Sequence, residues 1–228
     1  MSYEILQYST VASIIIQFIT GLLGAYGLTI PLAAKDVILK QVLGLEMLVQ
    51  GIEFVFYMSF LSSPSITSLT VSRYHDWFLS TPVMLFTTAL YFFYVNFIEQ
   101  NGGEETIDLE DFVKQHWKAI SAFVVLNFLM LLFGYLGELG VISKAAAFWL
   151  GTAALFGSFG TIYYEFAQQS EKTKRLFWIM FSIWSIYGVA YLLKPIYKNI
   201  GYTVLDLFAK NFFGIFLAYI ITEKQLSP

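Results

Sequence analysis

Two pairs of charged residues sit inside otherwise apolar stretches, and their spacing invites chemistry. Asp206 and Lys210 are four residues apart, so on a helix they share one face. Arg73 and Asp76 are three apart in a second apolar stretch. Bringing the two faces together makes a neutral cluster of two cations and two carboxylates. The bland account of Lys210 is a structural ion pair with Asp206. The chemical account is condensation of its amine with an aldehyde, which gives a protonated Schiff base whose charge nearby carboxylates hold. Two further carboxylates, Glu46 and Glu53, stand seven apart on one helical stripe with Gln50 between them.

These six charges matter because of what surrounds them. Only 13% of the 228 residues are charged and 57% are hydrophobic, with 23 Phe and 15 Tyr. Soluble domains run near about 25% charged, so the bilayer is the expected solvent. A charge at the centre of a membrane helix costs about 2.5–3.5 kcal/mol on insertion scales. Helix-to-helix glue accounts for one or two such residues but not for six. Apolar runs at roughly 9–32, 37–62, 66–96, 118–138, 141–167, 173–195 and 200–224 predict seven spanning helices. Pro31, the Ser62-Ser63-Pro64-Ser65 turn, Gly137, Gly140 and Pro195 mark several of the breaks. The longest connection, Glu99 to Lys118, carries Glu99, Glu104, Glu105, Asp108, Glu110 and Asp111 and reads as a solvated loop.

Basic residues in the connections set an orientation. One side holds Lys35, Lys40, Lys114, Lys118, Lys172, Lys174, Arg175 and Lys224, and the other Lys144, Lys194 and Lys198, which is eight against three. The expected architecture is therefore an all-α, seven-transmembrane-helix bundle, one domain over residues 1–228, N-terminus outside and C-terminus cytoplasmic. The N-terminus lacks a basic region followed by a cleavable apolar core, so the first helix is expected to direct insertion. A net charge of −3 without a basic stripe argues against a nucleic-acid partner. Zero cysteines exclude disulfides, thiol catalysis and Cys-based metal sites. With no nucleophile–base pair and no metal-ligand set in the pattern, an enzyme is not expected. His75 lies about 100° around its helix from Asp76 and reads as a packing residue, and His116 reads as a loop-end residue.

The stretch Arg73-Tyr74-His75-Asp76-Trp77-Phe78-Leu79-Ser80-Thr81-Pro82 resembles the third-helix signature of the microbial rhodopsins, Arg-Tyr-x-Asp-Trp followed by Thr-Thr-Pro or a close variant. Asp206-Leu207-Phe208-Ala209-Lys210 resembles their seventh-helix Asp-x-x-x-Lys, and Trp184-Ser185-Ile186-Tyr187 their sixth-helix Trp-x-x-Tyr. The similarity covers nearly the whole chain. It implies all-trans retinal bound covalently to Lys210, with Asp76 as primary counterion and proton acceptor. By the same resemblance Asp206 is the second counterion and Arg73 the cation that keeps the pair ionised. The implied pocket has Trp77 and Trp184 on either side of the polyene. Thr81, Met84, Met130, Gly134, Thr152, Tyr187 and Tyr191 stand around it. Asn127 is expected beside Thr81, where many members carry an Asp–Thr pair between helices three and four. Gly188 departs from the proline that pumps usually carry after the tyrosine, which bears on pocket shape and absorption maximum.

The family divides by what ions do after retinal isomerises. Outward proton pumps usually carry an Asp or Glu donor eleven residues after the acceptor, and here that position is Thr87, which cannot supply a proton at neutral pH. The outer release glutamate, usually eight residues before the seventh-helix Asp, is replaced by Lys198. Channelrhodopsins instead resemble this chain at Glu53 and at Asn211, directly after the retinal lysine, and Ser13 matches the serine of their central constriction. Ser13, Gln17, Glu46, Glu53 and Asn211 are thus expected to line a polar path between helices one, two and seven that favours monovalent cations or protons. Hydrogen bonds from Glu53 to Asn211 and Ser13 would close it in the dark. The compact chain is similar to the small channel-type viral rhodopsins of giant algal viruses, which implies a host cell membrane location. The alternative is an outward proton pump with Asp76 as acceptor and Glu46 as donor, and a less favoured third reading is a sensory photoreceptor. A homo-oligomer is compatible with the sequence but not specified by it.

Overall fold

Polar side chains at the ends of the apolar runs set where helices begin. Ser65 Oγ accepts from the Ser68 amide (3.1 Å), Asp108 Oδ1 from the amides of Glu110 and Asp111 (2.8 and 3.0 Å), and Ser143 Oγ from Ala146 (3.2 Å). The computed structural model describes residues 2–63, 65–102 and 105–226. Pro64 and Glu104, both invoked above, lie outside them. Among the described residues there are seven helices and no strands. They are α1 (Ser2–Thr29), α2 (Ile38–Phe60), α3 (Ile66–Gln100), α4 (Leu109–Glu138), α5 (Lys144–Ile162) and α6 (Glu171–Tyr191). The seventh, α7, runs as Pro195–Asp206, a wide π turn at Leu207–Asn211, and Phe212–Leu226.

Several ends differ from the sequence expectation. The helix expected from residue 118 starts at Leu109, so most of the acidic stretch is not a loop. Asp108 caps α4 and Glu110 and Asp111 lie in its first turn, where negative charge complements the exposed amides. Composition alone hides this, because a polar first turn looks like a connection. The first helix begins at Ser2 rather than near 9, the third runs to Gln100 rather than 96, and the seventh starts at Pro195, which needs no amide hydrogen at that position. The α4 end at Gly140 is as expected. Its φ of +72° lets Val141 N reach Leu136 O (2.9 Å) and Gly140 N reach Gly137 O (3.2 Å), the closing bonds of a Schellman turn.

Short connections make consecutive helices antiparallel neighbours. One end of the bundle, the N-terminal end, carries the start of α1, and the C-terminal end carries the end of α7. Among the described residues six helices are long and apolar enough to cross a membrane, and α6 falls short because Glu171, Lys172, Lys174 and Arg175 crowd its first turns. Large apolar side chains such as Leu22, Val55, Val125 and Phe208 face outward, with exposed Trp149 toward one end and Trp117 and Trp178 toward the other. This is the aromatic girdle of a membrane-spanning bundle. The interior holds the charges. Arg73, Asp76, Glu46, Glu53, Asp206 and Lys210 are all buried, joined by two that the sequence reading placed in connections, Asp36 and Lys198. Lys198 is not a free loop cation, because its ammonium sits 2.5 and 2.7 Å from the two carboxylate oxygens of Glu138.

At the C-terminal end Leu39, Leu43, Leu90, Leu217 and Ile221 close the interior with an apolar plug. Below it the Asp36 carboxylate accepts from Tyr94 Oη and pairs with Lys224 Nζ at 3.4 Å, which ties the α1–α2 connection to α3 and α7. Replacing Tyr94 with Phe removes a donor from a buried carboxylate. The expected cost is about 1–3 kcal/mol, read as a lower heat-denaturation midpoint, and an unchanged midpoint would show that Lys224 suffices.

Candidate functional site

The charged cluster is built from three helical stripes. On α7, Asn199, Thr203, Asp206 and Lys210 follow the i, i+4, i+7, i+11 pattern of one face, and the π turn over Leu207–Asn211 delivers the last of them. On α2 the matching stripe is Glu46, Gln50, Glu53 and Tyr57. On α3, Thr70, Arg73 and Asp76 face both. Lys210 Nζ donates to Asp76 Oδ2 at 2.7 Å, and Arg73 Nη1 reaches Asp206 Oδ2 at 3.3 Å. The lysine therefore pairs with the carboxylate of another helix rather than with Asp206 on its own.

The two carboxylates are not equivalent. Asp206 accepts from Tyr57 Oη (2.6 Å), Tyr187 Oη (2.7 Å) and Arg73, so both its oxygens are engaged. Asp76 has Lys210 on one oxygen, while Oδ1 has no hydrogen-bond partner among the described residues. Asp206 is thus held on both oxygens, whereas Asp76 is held on one, by Lys210. Tyr57 was not singled out as a site residue from sequence, although it continues the Glu46–Glu53 stripe by one turn.

Lys210 opens into a cavity with about 770 Å³ of empty space, its open mouth included. Its walls are apolar and include Trp77, Thr81, Met84, Met130, Gly134, Thr152, Trp184, Tyr187 and Tyr191, with Asp206 and Lys210 at the α7 end. Every pocket residue expected from sequence lines it. Asp76 and Arg73 stand behind Lys210 and are not part of the wall. A methyl group at Gly134 would lie 2.7 Å from Tyr74 Oη, so the glycine makes room for Tyr74 against this wall. The far end is formed by Ala147, Phe148, Gly151 and Thr152 of α5, and Gly188 lines the wall where a proline would narrow it. An apolar chamber with one amine in its wall fits an apolar aldehyde such as retinal.

The family model for bacteriorhodopsin-like proteins matches residues 4–224. The chain belongs to that family. Members are light-driven retinal proteins, and the fold makes this one an integral, multi-pass membrane protein. Among solved structures, the viral rhodopsin OLPVRII is similar over 96% of this chain and 98% of its own, with a TM-score of 0.81 and 25% identity. A blue light-absorbing proteorhodopsin from Med12 (TM-score 0.73, 18% identity, 98% and 99% coverage) and the rhodopsin of Exiguobacterium sibiricum (0.75, 15%, 100% and 99%) share the fold. No curated protein matches the sequence. Of these three structures, the viral rhodopsin has the highest TM-score and identity with this rhodopsin.

A second polar tract of this rhodopsin runs between α1, α2 and α7. Ser13, Gln17, Thr20, Glu46, Gln50, Glu53 and Asn211 are all buried. A methyl group at Gly214 would lie 3.6 Å from Thr20 Cγ2 and 4.0 Å from Gln50 Nε2, so the three helices converge there. The hydrogen bonds expected from Glu53 to Asn211 and Ser13 are not formed. Gln17 Nε2 donates to Ser13 Oγ instead (3.0 Å), and the side-chain polar atoms of Glu53, Gln50 and Asn211 find no partner among the described residues. Thr87, where pumps place their donor, contacts Glu46 Oε1, so the α3 position has a carboxyl on loan from α2. Asn127 Nδ2 donates to Thr81 Oγ1 at 2.8 Å, which brings together the expected α3–α4 pair. His116 is not at a loop end. It lies inside α4, packed on the rings of Phe93, Phe112 and Phe166, with Nδ1 2.9 Å from Glu165.

Proposed function

We propose that this rhodopsin carries all-trans retinal on Lys210 and acts as a light-gated cation channel, with a path between α1, α2 and α7. When bound, retinal supplies light absorption and a change of shape at the amine end of the chamber. The chain's own groups do the rest. Asp76 Oδ2, 2.7 Å from Lys210 Nζ, is placed to take a proton from that nitrogen. Asp206, held by two tyrosines and Arg73, keeps a compensating charge in place while it does so. The N-terminus is placed outside and the C-terminus in the cytoplasm in this reading, since the basic residues outside the membrane core divide eight to three between the two sides.

One observation carries the channel reading. Gln17 Oε1, Thr20 Oγ1, Glu46 Oε2 and all the side-chain polar atoms of Gln50, Glu53 and Asn211 are buried without a partner among the described residues. Buried polar groups take a partner, and in a polar tract of this length that partner is water or a hydrated ion. Three carboxylate or amide side chains on α2 lining such a tract favour cations. Leu39, Leu43 and Leu217, buried in one apolar cluster toward the C-terminal end, would close the tract in the dark. A proton pump is the second reading, favoured by the Glu46–Thr87 contact, which sets a carboxyl on the C-terminal side of Lys210.

Whole-cell photocurrents recorded with added retinal across a voltage sweep separate the two. A channel gives a current that reverses sign at a voltage following the cation gradient, whereas a pump stays outward throughout. Glu53→Gln keeps the size and polarity of the side chain and removes its charge. The cation current is expected to fall about tenfold, the effect of about 1.4 kcal/mol of lost ion–carboxylate attraction. Unaltered currents and selectivity would remove Glu53 from the path.

A further inference from the structure

We infer that Asn199 is a positioning residue that aims Arg73 at Asp206 and thereby fixes the charge opposite Lys210. A guanidinium has five hydrogens to donate, and Arg73 has five acceptor contacts. Nε donates to Asn199 Oδ1 (2.9 Å), Nη2 to Asn199 O (3.2 Å) and Thr203 Oγ1 (2.6 Å), and Nη1 to Tyr57 Oη (3.1 Å) and Asp206 Oδ2 (3.3 Å). Two of the five come from Asn199. The guanidinium is also covered by the rings of Tyr57 and Phe60, at 5.4 and 5.0 Å, and has no exposure to solvent.

Asn199 is itself aimed. Its Nδ2 donates to Thr70 Oγ1 at 2.7 Å and to Pro195 O at 2.9 Å, so its oxygen must point at Arg73 Nε. Thr70 Oγ1 in turn donates to Ile66 O at 2.8 Å, which leaves its lone pair for the asparagine. The chain of contacts is thus Thr70 to Asn199 to Arg73 to Asp206, running from α3 to α7, back to α3 and again to α7. Without Asn199, Nε loses its acceptor and the guanidinium is free to turn toward the N-terminal end, away from Asp206.

The consequence is electrostatic. The titratable and charged groups that face this site are Asp76 on α3, Tyr202, Asp206 and Lys210 on α7, Glu53 and Tyr57 on α2, and Tyr187 on α6. From α1, Leu6 and Ile14 pack on the Tyr57 and Phe60 cluster. When Arg73 swings away, the carboxylates lose a cation and take up a proton at higher pH.

The inference rests on retinal at Lys210, and its test reads colour rather than current. Acid titration of the visible band of the purified, retinal-loaded protein reports protonation of the carboxylates beside Lys210. In Asn199→Leu the midpoint is expected to rise by at least about one pH unit, a tenfold change. Asn199→Asp, which keeps an acceptor for Nε, should hold the midpoint at or below that of the unmodified protein. Thr70→Val, which frees the asparagine amide, should move it upward by a smaller amount, and it serves should the leucine variant fail to fold. Midpoints of the folded Leu and Val variants unmoved from the unmodified protein, or an aspartate variant that behaves like leucine, would overturn the role of Asn199. Absence of a visible band in the unmodified protein would instead overturn the retinal reading and this inference with it.

Discussion

Lys210→Arg is expected to abolish the visible absorption band and every light-evoked current while leaving the bundle folded. The amine of Lys210 sits at the α7 end of the apolar chamber and 2.7 Å from Asp76. Arginine keeps the positive charge opposite that carboxylate but has no primary amine to link to an aldehyde. Lys210→Ala removes both properties. It leaves Asp76 buried without its cation, and breaking a buried pair from one side costs about 3–5 kcal/mol. The two variants therefore differ in stability and agree in colour. A band that survives in the arginine variant, measured by difference spectroscopy with and without retinal, would move the attachment site elsewhere. Loss of folding in both would show that the ammonium geometry, and not only its charge, holds α3 against α7.

The second large effect is expected at Arg73. Arg73→Gln strips Asp206 of its cation and leaves Asn199, Thr203 and Tyr57 with unfilled acceptors in a region of zero solvent exposure. The cluster also passes from neutral to a net negative charge. A cost of about 3–5 kcal/mol follows from removing one member of a buried pair. In a chain of this size that is about 6–20 °C in the heat-denaturation midpoint. Pairing the change with Asp206→Asn restores neutrality, so the double variant should be more stable than the sum of the two singles by about 0.5–3 kcal/mol. Strict additivity would mean that Arg73 and Asp206 are held independently by their hydrogen-bond partners, and that the 3.3 Å contact between them contributes nothing.

The two variants probe the same division of labour. Asp206 has a charge surrounded by three donors, and Asp76 has one partner and one free oxygen. A proton moves to the carboxylate that has room for it. That asymmetry arises from Tyr57 and Tyr187, which reach across from α2 and α6. Neither belongs to the Arg-x-x-Asp or Asp-x-x-x-Lys pairs that draw the eye first.

Much of this molecule is legible in the order of its residues. A membrane helix makes its own backbone hydrogen bonds, so a run of about 20 apolar residues determines a span before any neighbour is known. For the same reason the six charges within those runs stand out, and all six prove to be buried in the bundle interior. Spacing along one helix is also local information. The Asp206–Lys210 and Glu46–Glu53 stripes are visible at once, and the same periodicity extends to Tyr57, Thr203 and Asn199, although nothing in a single sequence distinguishes those polar residues from ordinary ones. Helix ends are less legible, because the polar first turn of α4 has the composition of a loop and only the Asp108 cap makes it helical.

What only the tertiary structure decides is which group answers which. Lys198 reads as a surface cation until α4 brings Glu138 within 2.5 Å of it. Lys210 pairs with Asp76 rather than with Asp206, its neighbour four residues away, because Tyr57, Tyr187 and Arg73 have already claimed the latter. The expected bonds among Glu53, Asn211 and Ser13 fail for a similar reason. Sharing a stripe tells that side chains point the same way, whereas a hydrogen bond needs an approach within about 3.5 Å that only the packing distance between helices sets. Local periodicity thus determines the faces, and interhelical packing determines the contacts.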